Sequence, residues 1–225
     1  MTPHLEILPP GQRTFWDRVA GSVPKRFVLY GGTAVALRYG HRHSVDFDYF
    51  SDRPLDLERL QKALPAIKAG EVLQQAHNSL TARIDIDGQP VKLSFFGDLG
   101  FGRVGQPDII DHRATIASPI DLLATKLKTL HDRVEARDYL DIEALLRGGL
   151  TLNEGIAAAA ALFGSSLNML DTAKAVAWFK DGGLEKSLPA STRTYLAKAS
   201  STFDPHITAA HIVSRSLSSA APRTK

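Results

Sequence analysis

Residues Tyr30–Phe50 read YGGTAVALRYGHRHSVDFDYF, and their order predicts a strand, a glycine turn, a helix and a second strand. Arg26–Tyr30 (RFVLY) is a short apolar strand stopped by Gly31 and Gly32. Thr33–Tyr39 carries apolar residues at helical spacing and ends at Gly40, a natural left-handed cap. Ser44–Phe50 alternates, which is the period of a strand. A strand that ends in Gly-Gly and opens a helix leaves bare backbone N–H groups at a helix N-terminus, where amides and helix dipole both favour phosphate oxygens. Asp46 and Asp48, two apart on a strand, point to one face, while Val45, Phe47 and Tyr49 take the other. Two carboxylates side by side repel each other and must be desolvated. A divalent cation relieves both problems, and Mg²⁺ favours one or two carboxylates completed by waters and substrate phosphates. The Asp-x-Asp spacing alone also occurs on exposed strands without any role. Joined to the strand, Gly-Gly and helix, it points to metal-assisted transfer at phosphorus.

The same stretch resembles the signature of the nucleotidyltransferase fold, and more closely that of the AbiEii/AbiGii toxin family. Gly31, Gly32, Thr33, Gly40, His41, Arg42, Ser44, Asp46 and Asp48 match that signature in order. A second likeness lies in Asp121–Leu146, DLLATKLKTLHDRVEARDYLDIEALL. The family shows a helix bearing a lysine, then an arginine, then a basic–Asp pair opening the next helix; Lys126, Arg133, Arg137 and Asp138 take those places. On one unbroken helix Lys126 and Asp138 would lie about 120° apart around the axis. A break near Asp132–Glu135 lets both face a cleft. Without the first motif, Lys126, Lys128, Arg133 and Arg137 read as an ordinary solvated helix face.

The resemblance spans roughly Phe27–Leu146 and implies an α/β (α+β) architecture, a small mixed sheet followed by a helical domain that closes a cleft. It implies an enzyme that moves a nucleoside monophosphate from an NTP to an acceptor hydroxyl, with tRNA the acceptor in some members and a cognate antitoxin as protein partner. Carried over residue by residue, Asp46 and Asp48 hold Mg²⁺ (or Mn²⁺). Gly31, Gly32 and Thr33 position phosphates, with Arg42, Ser44, Arg133 and Arg137 as further nucleotide or acceptor contacts. Lys126 neutralises developing charge, and Asp138 serves as general base or second-metal aid. One departure stands out. Many polymerase-type nucleotidyltransferases place a third carboxylate on a later strand, whereas Val91–Phe96 offers Lys92 and Ser94. Asp85, on the neighbouring run, is the one substitute within reach. A non-catalytic nucleotide- or RNA-binding module is the alternative this departure supports.

Outward from these motifs, Gln12–Val23 reads as an opening helix burying Phe15, Val19 and Trp16, and Leu55–Ile67 as an amphipathic helix. Ser79–Ile86 and Val91–Phe96 form a hairpin around Asp87-Gly88-Gln89-Pro90, and Ala114–Ala117 adds a short strand. Ser118-Pro119-Ile120-Asp121 supplies a cap, a first-turn proline and an acid, opening a helical half. The division is thus residues 1–117 as the catalytic domain, 118–213 as the helical domain and 214–225 as a flexible basic tail. Three other features carry less. His41-x-His43 lacks further soft ligands for zinc, and Gly100-x-Gly102-x-x-Gly105 lacks the following helix of a dinucleotide fingerprint. Trp178 and Phe179 read as core residues at a helix end.

Composition narrows the classes. The 225 residues are 44% hydrophobic, ample for a core, and contain no cysteine, which excludes disulfides, thiolate zinc sites and cysteine nucleophiles. No apolar run approaches the roughly 20 residues of a membrane span, and Met1–Pro10 has no leader-like pattern, so a cytoplasmic location is the expectation. The net charge of +3 is matched by Arg215, Arg223 and Lys225 in an acid-free end, so a nucleic-acid partner has to be argued from a local patch.

Overall fold

The computed structural model describes residues 1–218, over which the first half of the chain builds a seven-stranded mixed sheet and the second half a set of helices. Helix α1 (Pro10–Arg18) buries Phe15 and Trp16. Strand β1 (Val28–Tyr30), helix α2 (Gly31–Tyr39) and strand β2 (Asp46–Phe50) follow in the expected order, with Gly40 closing α2 at φ 63°. The single helix expected over 55–67 is two, α3 (Leu57–Ala63) and α4 (Pro65–Ala69), because Pro65 lacks an N–H and serves as a helix start. Strands β4 (Ser79–Ile86) and β5 (Gln89–Phe96) are the expected hairpin. Strand β3 (Glu71–Ala76) and strand β6 (Asp108–Ile110) are additions to the sequence reading, and β7 (Ala114–Ile116) agrees with it.

The sheet order is β3-β4-β5-β2-β1-β7-β6, which puts the Asp46/Asp48 strand in the middle. β2 runs antiparallel to β1, with Tyr30 opposite Asp48. It runs parallel to β5, with Asp46 beside Lys92 and Asp48 beside Ser94. On its apolar face Phe47 and Tyr49 are fully buried; Phe15 meets Phe47 at 4.8 Å and Tyr49 stacks on Phe95 at 5.2 Å between ring centroids.

Past Ser118, whose hydroxyl accepts the Asp121 N–H as the predicted cap, come α5 (Pro119–Thr129), α6 (Ala136–Arg147), α7 (Leu152–Phe163), α8 (Met169–Val176), α9 (Leu184–Ser187) and α10 (Ala190–Ser201). α5 packs against α2, α6 and α7, so one apolar core continues from the sheet into the helices. Among the described residues no helix is long and apolar enough to cross a membrane.

Two expectations are corrected here. Residues 214–218, assigned to a flexible basic tail, are docked. Ser214 bridges to Arg103, the Ser216 hydroxyl and the Leu217 N–H both donate to Asp52, and Leu217 is fully buried. The remainder of that tail, 219–225, lies outside the described residues. Trp178, expected in the core, is 49% exposed; its indole N–H is held by Asp181 at 2.7 Å, while Phe179 does pack inward against Tyr139.

Candidate active site

The site begins where β1 turns into α2. Gly31 sits at φ 69°, and a Cβ there would come within 2.5 Å of an Asp48 carboxylate oxygen; a side chain on Gly32 would overlap the Arg42 guanidinium. The two glycines let the helix start pass directly over the carboxylate strand. Thr33 then fixes that approach. Its hydroxyl donates to the backbone carbonyl of Asp46 and accepts from Ser44 at 2.8 Å, so α2 is tied to the entry of β2. The Thr33 and Ser44 hydroxyls expected to meet phosphate are therefore occupied with each other and with backbone.

Asp46 and Asp48 face a cleft of about 480 Å³ whose lining includes Gly32, Arg42, Ser44, Lys92, Ser94, Lys126, Arg133 and Arg137. Five of its side chains are cationic (Arg42, Lys92, Lys126, Arg133, Arg137) and only Asp46 and Asp48 are acidic. Each of the five is already ion-paired, Lys92 with Asp46 and the other four with acids on the opposite wall, so the cleft offers oriented N–H donors rather than a net positive charge. Asp85 is excluded as a third acid at the site: it is at the far end of the hairpin, accepting the Gly88 N–H in the turn.

The wall opposite the sheet is an ion-pair cluster. The helix break expected near Asp132–Glu135 is present, α5 ending at Thr129 and α6 starting at Ala136. Lys126 Nζ consequently lies 2.7 Å from Asp138 Oδ1 and 2.6 Å from Asp141 Oδ2. Asp141 also accepts Arg42 through both Nε (2.7 Å) and Nη2 (2.9 Å), and His41 Nε2 at 2.7 Å. A carboxylate only accepts, so His41 carries its proton on Nε2 toward Asp141. Arg133 holds Asp138 by Nε at 2.9 Å and Nη2 at 3.2 Å, and Arg137 pairs with Glu135.

These contacts shift the carboxyls of the two walls in opposite directions. Burial, and then the neighbouring Asp46, push the Asp48 carboxyl above its ordinary value. Burial acts the same way on Asp138 and Asp141, but it is outweighed. Arg133 and Lys126 bring Asp138 below its ordinary value, and His41, Arg42 and Lys126 bring Asp141 well below. Asp138 accepts from cations on both oxygens, which suits it to holding Lys126 in place.

Of the expected residues, Asp46, Asp48, Gly32, Ser44, Arg42, Lys126, Arg133 and Arg137 converge on the cleft, while Gly31, Thr33 and Asp138 support it from behind. Asp141 was missed. Its sequence signal was its place three residues after Asp138, on the same face of one helix.

Over residues 14–212 the chain matches the family model described as AbiEii: Nucleotidyl transferase AbiEii toxin, Type IV TA system. It is 30% identical over 124 residues to the uncharacterized protein aq_aa25 of Aquifex aeolicus (strain VF5), an alignment that spans 54% of this chain and 58% of that one. The fold is similar to JHP933 from Helicobacter pylori, with a TM-score of 0.54 and 20% identity over 81% of this chain and 85% of that one. It is similar also to MenT4, a nucleotidyltransferase toxin from Mycobacterium tuberculosis H37Rv, with a TM-score of 0.55 and 13% identity over 85% and 84%.

Proposed function

The chain belongs to the AbiEii nucleotidyltransferase toxin family of type IV toxin–antitoxin systems, and on that premise we propose that it transfers a nucleoside monophosphate from an NTP to a hydroxyl of RNA, tRNA foremost. In this reading a cognate antitoxin restrains it. The observation that supports the reading most is the cleft itself, where Asp46 and Asp48 meet five cationic side chains at the N-terminus of α2.

A divalent ion, Mg²⁺ or Mn²⁺, fits the residues present. Asp46 and Asp48 are half-buried side by side on one face of β2 and line the cleft, a pair of hard oxygen donors whose mutual repulsion such an ion relieves. Asp46 and Asp48 would hold it, and when bound it supplies positive charge to phosphate oxygens. The chain's own groups account for the rest. The first amides of α2 and the Arg42 guanidinium orient phosphates. Lys126 directs two of its three N–H bonds to Asp138 and Asp141, leaving one for a phosphate oxygen. Because these donors are held in place before substrate arrives, they oppose developing charge without reorganising. The acceptor hydroxyl gives up its proton to solvent as its oxygen bonds to the α-phosphorus, the bond from that phosphorus to the α,β-bridging oxygen breaks, and pyrophosphate departs. Arg133 and Arg137, half-exposed at the cleft edge, suit the backbone of an RNA acceptor.

A second reading rests on Lys92, which lies 3.3 Å from Asp46 Oδ2. If it keeps divalent ions out, the cleft binds nucleotide or RNA without turnover. Incubation with each α-labelled NTP, Mg²⁺ and total tRNA separates the two. Label entering RNA with wild type and not with Asp48→Ala supports transfer; nucleotide binding without label in RNA supports the silent module.

A further inference from the structure

Lys92 and Ser94 occupy the strand positions beside the two carboxylates, and their chemistry bears on how much metal the site takes. The parallel register of β2 and β5 puts Lys92 next to Asp46 and Ser94 next to Asp48, on strands about 4.8 Å apart. The Lys92 ammonium pairs with Asp46 at 3.3 Å. The buried Ser94 hydroxyl stands beside Asp48 in the register and accepts a long hydrogen bond of 3.4 Å from Thr81, one strand further on. The row that crosses the cleft floor beside Asp48 is therefore neutral and hydroxylic. Behind the opposite wall, Asp138 and Asp141 are saturated by Arg133, Lys126, Arg42 and His41.

We infer that this cleft works with a single divalent ion and that the Lys92 ammonium takes the electrostatic place of a second. Two ions in one such site sit about 3.5–4 Å apart and need carboxylates to share between them. Here two carboxylates serve the whole floor, and one of them already faces an ammonium. A second dication would displace Lys92 and gain only a hydroxyl, a poor substitute for a carboxylate oxygen in binding a hard cation. The inference rests on the nucleotidyl-transfer reading and deepens it by fixing the metal count.

The test reads the ions directly, without turnover. The full chain is loaded with Mn²⁺ and a non-hydrolysable analogue of each NTP, and electron paramagnetic resonance distinguishes one isolated Mn²⁺ from a spin-coupled pair. Wild type is expected to hold one isolated ion. Ser94→Asp, which places a third carboxylate beside Asp48, is expected to hold a coupled pair, and thermal melting verifies that the variant is folded. Lys92→Met is expected to bind the single ion several-fold more tightly, since no ammonium competes for Asp46. A coupled pair in wild type overturns the inference while leaving the transfer reading intact. Absence of bound Mn²⁺ from both wild type and Ser94→Asp overturns the transfer reading together with it.

Discussion

Lys126 and Asp138 are twelve residues apart in the chain and 2.7 Å apart in space, because the helix that would turn them to different faces stops at Thr129 and restarts at Ala136. The same lysine reaches Asp141 at 2.6 Å, so one buried ammonium bridges two buried carboxylates. Removing a single partner from such a cluster leaves charge without compensation, which in buried pairs costs about 3–5 kcal/mol. Lys126→Ala is expected near the lower figure, since Arg133 and Arg42 remain on the two acids. Lys126→Ala combined with Asp138→Asn is expected to recover part of that stability and none of the transfer activity. Urea unfolding and label transfer on the same samples measure both.

Asp141 makes the cluster sensitive to acid. Its folded carboxyl titrates well below the ordinary value, despite burial, through His41, Arg42 and Lys126. A group depressed in this way stabilises the fold above its unfolded pKa, near 3.9 for aspartate, and that contribution is lost as pH falls toward the folded value. Asp141→Asn is therefore expected to be less stable than wild type by about 2–3 kcal/mol at pH 7. The gap narrows below roughly pH 4. Denaturant unfolding at pH 7, 5 and 3 is the measurement; a gap that does not change with pH contradicts it.

Asp48 behaves in the opposite sense. Burial and Asp46 raise its folded pKa, so ionised Asp48 detracts from stability, and its contribution improves as pH falls through the folded value. Asp48→Asn, a neutral side chain of the same shape, is expected to raise the stability and the Tm of the metal-free protein. Mg²⁺ is expected to raise the Tm of wild type, through binding to the folded state only, and to leave Asp48→Asn unmoved. A scan with and without the ion decides this.

Much of the site was legible because its signals are local. Gly31–Gly32 opens a helix, Asp46 and Asp48 share a face by the period of two, and the break between α5 and α6 is marked by polar residues without apolar spacing. What stayed hidden depends on pairing between distant segments. Every residue of β3 is exposed, so no alternation marks it, and its place is set by hydrogen bonding to β4 across an irregular register. Asp141 looked like one acid on an amphipathic helix until α2 and α6 packed together and brought Arg42 and His41 onto it. Trp178 read as a core residue closing a helix end; the Asp181 carboxylate that holds its indole N–H at the surface is a local partner that hydrophobicity does not record.

The central claim, nucleotidyl transfer at the Asp46/Asp48 cleft, is tested most directly by counting both products of one reaction. Wild type is incubated with Mg²⁺, total tRNA and each NTP in turn, and pyrophosphate released is compared with α-label fixed in RNA. The account predicts one pyrophosphate for each nucleotide incorporated with at least one NTP, and neither product with Asp48→Asn, a melting curve serving to verify its fold. Equal incorporation by wild type and Asp48→Asn, or phosphate released in place of pyrophosphate, would contradict it.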